Sequence, residues 1–258
     1  MADGITIVQP VSAAAGELWR ACATPQGLQG WQADSVEGQV RPGARLRLTW
    51  PTLGAELELR VVEVEAPRRL VLETGSQRIV IEAKKDRVVL THFGSVTQDE
   101  MAGTMSGWRL SLATLAHGLE RHPRSARRVH WAVCVARASF ELTHTYFTNG
   151  AALGAWLTSH GEIGEPDSSV NLGLRWGTSL TGQVLAHTPG RDLAVSWQEE
   201  GDAVLALRTL PLPGGSERRL VALQWSTWGR RDGLSATAAH LDSCVQGLAK
   251  LLAERGLA

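Results

Sequence analysis

His92 is the side chain of this sequence best placed by type to do chemistry. It closes the run Val88-Val89-Leu90-Thr91-His92-Phe93, in which strand alternation sends Val88, Leu90 and His92 to one face and Arg87 and Thr91 to the other. A neutral imidazole on the apolar face of a strand can orient a ligand or act as an acid or base. It can equally be a core histidine bonded to a nearby backbone carbonyl, and no Asp, Ser or Cys stands beside it in sequence as a catalytic partner. His117 and His122 are five residues apart, which puts them on different faces of a helix and argues against a shared metal. Glu56, Glu58, Glu63 and Glu65 resemble a carboxylate cluster, but Glu56 and Glu58 alternate with Leu57 and Leu59, so they read as solvating charge on a strand. There is no phosphate-binding Gly-rich loop, no Gly-x-Ser-x-Gly and no His-Glu-x-x-His. No catalytic residue, metal ligand or cofactor is assigned on these grounds.

Tryptophan is the other unusual feature: ten, against one tyrosine and three phenylalanines. Trp50 and Trp176 end matching inward-facing strands, Trp31 and Trp156 end matching short helices, and Trp197 and Trp225 lie on strands of the second half only. Each buried aromatic removes roughly 150–250 Å² from water, worth about 4–6 kcal/mol. Core stability alone therefore accounts for them, although an apolar pocket with a few polar groups is also what a small-molecule site looks like. The candidate pocket set is Trp31, Trp50, His92, Trp108, Leu112, Trp156, Trp176, Trp197 and Trp225. The extra tryptophans of the second half predict a filled or narrower cavity there.

The elements that must position these residues form a repeat. Residues 87–121 read as a strand, a loop and a long amphipathic helix carrying Trp108, Leu112, Leu115, Ala116 and Leu119 on one face. Adding 133 takes Val88 to Val221, Leu90 to Leu223, His92 to Trp225, Leu112 to Val245, Leu115 to Leu248 and Leu119 to Leu252. Upstream, Thr24-Pro25 and Asn149-Gly150 start matching short helices, each with a capping side chain. Trp31 and Trp156 follow at an offset of 125, and the strands ending at Trp50 and Trp176 at 126. Pro67-Arg68-Arg69-Leu70-Val71-Leu72 matches the strand through Leu193 at 123. Offsets that change between elements and not within them are those of a true duplication. The largest change falls in a longer hairpin around residues 210–216, where the first copy has only the turn Lys84-Lys85-Asp86.

Three local details are expected. Ser12 caps a helix over residues 13–22. A bulge near Val61-Val62 reconciles the parity of Leu57, Leu59 and Val61 with that of Val62 and Val64. Gly103 and Gly107 mark either a close backbone approach or loose first turns ahead of Trp108.

Composition narrows the function classes. The 258 residues suffice for two domains of about 125. Residues 1–124 carry 14 basic and 14 acidic side chains and the remainder 12 and 12, so neither half has the basic face of a nucleic-acid binder. Arg121, Arg124, Arg127 and Arg128 read as a solvated linker. No apolar run approaches the roughly 18 residues of a membrane span, and the N-terminus lacks a signal pattern. Cys22, Cys134 and Cys244 are widely spaced, with no Cys-x-x-Cys, which fits small apolar residues in a reducing cytoplasm.

Each copy thus reads as a strand, two short helices, six strands in meander and a long helix that covers the apolar face of the sheet: an α+β architecture used twice. This order resembles the helix-grip domains of the START-like, birch-pollen-allergen-like superfamily (SRPBCC), nearest to the family of activators of the heat-shock-protein-90 ATPase. The residues that carry it are Thr24-Pro25, Leu28 and Trp31 with Asn149, Leu153 and Trp156, then Pro67 with Leu70-Val71-Leu72, Val88 with Leu90-Thr91-His92, and Gly107-Trp108 with Leu112, Leu115 and Leu119. The second copy matches less well, since Leu241 replaces Trp108 and Trp225 replaces His92. The resemblance implies a curved seven-stranded antiparallel sheet gripping the last helix, with a cavity between. The repeat itself sets the domains at 1–122 and 128–258, and a link of about seven residues between them is short enough to expect that they pack together. It implies three functions. The first is non-enzymatic binding of a hydrophobic small molecule, mainly in the first domain, by a cytoplasmic protein. The second is a protein-interaction module acting on a chaperone or other partner. The third is a cyclase- or lyase-like enzyme using His92.

Overall fold

The computed structural model of the chain describes residues 4–94, 97–212, 218–229 and 234–255. The chain divides into two compact units, Met1–Arg127 and Arg128–Ala258.

In the first unit β1 (Ile5–Pro10) leads into α1 (Ala15–Ala23) and α2 (Pro25–Gln29). There follow β2 (Ser35–Gly38), β3 (Arg45–Trp50), β4 (Ala55–Glu65), β5 (Arg69–Thr74), β6 (Gln77–Ala83) and β7 (Arg87–Phe93), then α3 (Gln98–Arg121). The strands form one antiparallel sheet in the order β1-β7-β6-β5-β4-β3-β2. The meander places each strand beside its successor, and β1 closes on β7, with Ile5 opposite His92 and Ile7 opposite Leu90.

The second unit repeats this order. Its elements are β8 (Arg127–Arg137), α4 (Phe140–Thr148), α5 (Gly150–Gly154), β9 (Thr158–His160), β10 (Ser169–Leu174), β11 (Ser179–Thr188), β12 (Asp192–Trp197), β13 (Ala203–Pro211), β14 (Arg218–Trp228) and α6 (Leu234–Arg255). The sheet order, β8-β14-β13-β12-β11-β10-β9, is that of the first unit. The protein is therefore α+β, with two tandem helix-grip domains.

Each long helix lies on the apolar face of its own sheet. Leu112, Leu115 and Ala116 of α3 join Leu46, Leu48, Leu59, Val61, Leu70, Leu72, Ile79, Ile81, Val88 and Leu90 in one core. Leu241, Val245, Leu248 and Leu252 of α6 do the same with Leu172, Leu193, Val195, Leu205, Leu207, Val221 and Leu223. The exposed face of β3, β4 and β5 is laced by ion pairs: Arg47 with Glu56 at 2.6 Å, Arg60 with Glu73 at 2.5 Å, Arg69 with Glu63 at 3.3 Å, and Arg45 with Glu58. Glu65 pairs with Arg68. The four glutamates of this strand thus each hold an arginine in solvent, where such pairs contribute little individually.

The bulge falls at Val61, where the β4–β5 register shifts, and recurs at Val184, where the β11–β12 register shifts. The backbone holds both in the same way. Val61 exchanges bonds with Gly43 and Ala44, and Val184 with Asp167 and Ser168. Thr24 and Asn149 cap α2 and α5 as the sequence implies, accepting from the amides of Gly27 and Ala152.

Several local readings are corrected. Ser12 does not cap α1, whose N-cap is Ala14; its own amide instead donates to Glu120 Oε1 at 2.8 Å. Gly103 and Gly107 lie well inside α3, which starts on a capping box of Thr97 and Glu100. The strand expected to end on Trp176 stops at Leu174, and Trp176 sits in the following turn. Arg127 is no linker residue: it begins β8 and is buried. His117 and His122 do meet, with ring centroids 5.7 Å apart, because His122 has left the helix as its C-cap. No group of three or more metal-ligating side chains occurs among the described residues. Residues 213–217 of the longer hairpin lie outside the described residues. Among the described residues no helix is long and apolar enough to cross a membrane.

Candidate functional site

The site in the first domain is built on the end of β7 and the first half of α3. His92 is the last inward-facing residue of β7, set between Ile5 of β1 and Ile79 of β6. It is 5% exposed. Its partner is neither a backbone carbonyl nor an acid. The indole N–H of Trp108, reaching down from α3, donates to His92 Nδ1 at 3.0 Å. The two rings are tilted, with centroids 6.2 Å apart, and Trp31 lies 6.3 Å beyond Trp108.

An indole N–H can only donate, so Nδ1 must accept and the ring proton must reside on Nε2. Nε2 is buried and has no hydrogen-bond partner. Burial also lowers the imidazole pKa below its ordinary value, since the charged form would lose its hydration. Protonating Nδ1 would in addition set two donors against each other. His92 is thus a neutral, tautomer-locked donor.

The core that holds this pair is apolar and is incompletely covered at several side chains. Trp50, Leu57, Met105 and Trp108 are half-buried against the core. Trp31 is 2% exposed, and its indole donates to Ala21 O at 3.0 Å, near the end of α1. The Trp50 indole donates to Gln32 O at 3.2 Å. These two rings can offer a ligand only their faces. Leu112 is fully buried in the same core.

The second domain replaces this constellation with an aromatic column. The exposed His240 of α6 stacks on Trp176 at 5.0 Å and 3° between planes. Trp176 is 6.3 Å from Trp197, and Trp197 is 6.3 Å from Trp225. Trp197 donates to Ser179 O at 3.0 Å and Trp156 to Tyr146 O at 2.9 Å. Trp225, 1% exposed, has no acceptor for its indole N–H.

Residues 12–120 match the family described as Activator of Hsp90 ATPase homolog 1-like protein. The first domain is similar to this family over that span. The matched residues of this Hsp90-ATPase-activator-like domain contain Trp31, Trp50, His92, Trp108 and Leu112, whereas the second domain lies outside them. No curated protein matches the chain.

Several solved structures are similar in fold. The Aha1 dimer from Colwellia psychrerythraea is 17% identical, with 47% of this chain and 98% of that chain covered and a TM-score of 0.41. Protein SSP2350 from Staphylococcus saprophyticus is 21% identical, covering 46% of this chain and 92% of that chain at a TM-score of 0.42. The di-domain ARO/CYC BexL from the BE-7585A biosynthetic pathway is 15% identical over 98% of this chain and 99% of that chain, at a TM-score of 0.40.

Within the Hsp90-ATPase-activator-like domain, sequence reasoning missed Met105, one helical turn before Trp108 and on the same side of α3. The 3-residue spacing was a usable signal. His240 was missed because its counterpart in the first copy, at the offset of 133, is Gly107. The three cysteines are unpaired, and burial pushes the Cys22 thiol up to about 12 and that of Cys134 to about 11, as expected of inert apolar positions.

Proposed function

We propose that the first domain binds a hydrophobic small molecule between its sheet and α3, without carrying out catalysis on it. One observation carries this reading: a buried polar donor, His92 Nε2, has no partner in the protein and stands beside the half-buried ring of Trp108 at the apolar core. Apolar walls with a few oriented polar groups are the usual make-up of a small-molecule site. Cavity-filling tryptophans make the second domain the weaker binder on this reading.

The same geometry argues against His92 as a general base. The lone pair on Nδ1 is occupied by Trp108, and Nε2 already bears the proton. Native mass spectrometry of the protein purified from its own cells tests the proposal directly. A retained small molecule that is lost in Trp108→Ala is the expected result, and protein of bare polypeptide mass in every preparation would refute it.

The family match supports a second reading, a chaperone-contact module, through the name that the family carries. Capture of a chaperone from lysate that is abolished by charge reversal at Arg45, Arg47 and Arg60 would favour this reading over ligand binding.

A further inference from the structure

The two domains share the pairs Trp31/Trp156 and Trp50/Trp176 but differ at His92/Trp225 and Trp108/Leu241, and one property survives the first of these changes. Among the nine candidate residues, the two buried N–H groups without an acceptor are His92 Nε2 and Trp225 Nε1. They are 133 residues apart, the same offset that relates the two strand–helix units, so they occupy equivalent places in the two sheets. What persists between the copies is therefore an N–H at one location, not a ring type.

Both groups are obligate donors. Indole has no acceptor, and the Trp108 bond leaves His92 only its Nε2–H to offer. A buried donor left unsatisfied is destabilising, and native proteins rarely tolerate one without a use for it. The complement is an acceptor brought in from outside.

Charge narrows its class. Among the described residues the only buried Lys or Arg side chain is Arg127, at the head of β8 and part of neither apolar core. A carboxylate or phosphate at either donor would be buried without a counter-ion, and a cation would face an N–H. An uncharged oxygen, as in a ketone, quinone or ester, meets both conditions.

We propose that each domain accommodates an apolar ligand bearing one uncharged hydrogen-bond acceptor, docked on His92 Nε2–H in the first domain and on Trp225 Nε1–H in the second. This rests on the small-molecule reading above, extends it to the second domain and names the ligand class.

The test uses the full chain and two planar probes of equal size, 2-acetylnaphthalene and 2-isopropenylnaphthalene, which differ in C=O against C=CH2. The ketone is expected to bind about tenfold more tightly, the worth of one neutral hydrogen bond. His92→Phe removes that preference at one site and Trp225→Phe at the other. In the unmutated protein, the Nε2–H proton resonance of His92 moves downfield with the ketone and stays put with the hydrocarbon, which decides the matter even if a variant fails to fold.

Equal binding of the two probes would overturn this inference and leave the small-molecule reading standing. A ketone preference that survives both substitutions would also overturn it. So would an Nε2–H resonance indifferent to the ketone, the behaviour expected if an ordered water satisfies the donor. Binding of neither probe would overturn both readings.

Discussion

Trp31 and Trp156 make one and the same hydrogen bond: each indole donates to the carbonyl ten residues upstream, Ala21 at 3.0 Å and Tyr146 at 2.9 Å. Both carbonyls lie near the C-terminal end of the preceding helix, where backbone acceptors lack intrahelical partners. Trp31→Phe and Trp156→Phe keep most of the packing but strand those carbonyls. Each substitution is expected to cost about 1–3 kcal/mol, measured by denaturant unfolding of the full chain. A loss under about 0.5 kcal/mol in either variant would show that the indole N–H is not what secures the helix.

Burial holds His92 below its ordinary pKa of 6.5, so the unfolded chain takes up this proton more readily than the folded one. Stability from this group is therefore complete above about pH 6.5 and declines as the pH falls below it. Unfolding free energies at pH 7.5 and 5.5 should differ more in the unmutated protein than in His92→Gln. His144 is also held low, by burial first and by His187 second, and contributes a slope of the same sign from the second domain. The difference between protein and variant isolates His92. An NMR titration placing its midpoint above 6.5 would contradict the buried, Trp108-bonded imidazole.

Helix starts offer a paired comparison. In the capping box of α3, Thr97 Oγ1 accepts from Glu100 N at 3.1 Å and Glu100 Oε2 accepts from Thr97 N at 3.0 Å. Thr97→Ala should cost about 1 kcal/mol. Ser12→Ala should cost almost nothing, because the contact of Ser12 with Glu120 runs through its backbone amide. Thermal unfolding of the two variants side by side checks both, and an equal loss would mean that Ser12 has a capping role after all.

Gly38 closes β2, and Gly161 directly follows β9 at the equivalent place in the second copy. A Cβ on Gly38 (φ +112°) would stand 2.2 Å from Arg45 O, and one on Gly161 (φ +98°) 2.5 Å from Asn171 O. Alanine at either position meets both backbone strain and a clash, at a cost of about 1–3 kcal/mol or more. Gly54 (φ +60°) has open space around it, and Gly54→Asn should be tolerated because asparagine readily adopts that conformation. Denaturant midpoints that rank all three alike would refute the distinction.

The parts of this fold that were legible in the sequence are those governed by neighbours along the chain. Thr24 and Asn149 declare their helix starts because a capping side chain acts three residues away. The bulge at Val61 is visible because hydrophobic parity breaks there. The duplication shows because spacing within an element is fixed by its geometry. The misses share another cause. The partner of His92 sits sixteen residues on, across a loop, and neither strand nor helix periodicity reports which side chains meet between layers. His122 reaches His117 only because the chain turns off the helix at its C-cap. Trp176 leaves its strand because Gly177 (φ +89°) turns the chain right after it, and the matching tryptophan of the first copy conceals that difference.

The bulges at Val61 and Val184 are clamped by main-chain hydrogen bonds, with glycine and alanine on one side of the clamp in the first copy and aspartate and serine in the second. Mutation can therefore rewrite the interior of either copy without straightening its wall. Such a protein is free to let the lining of one half drift while the other keeps its own, two linings within walls of one design.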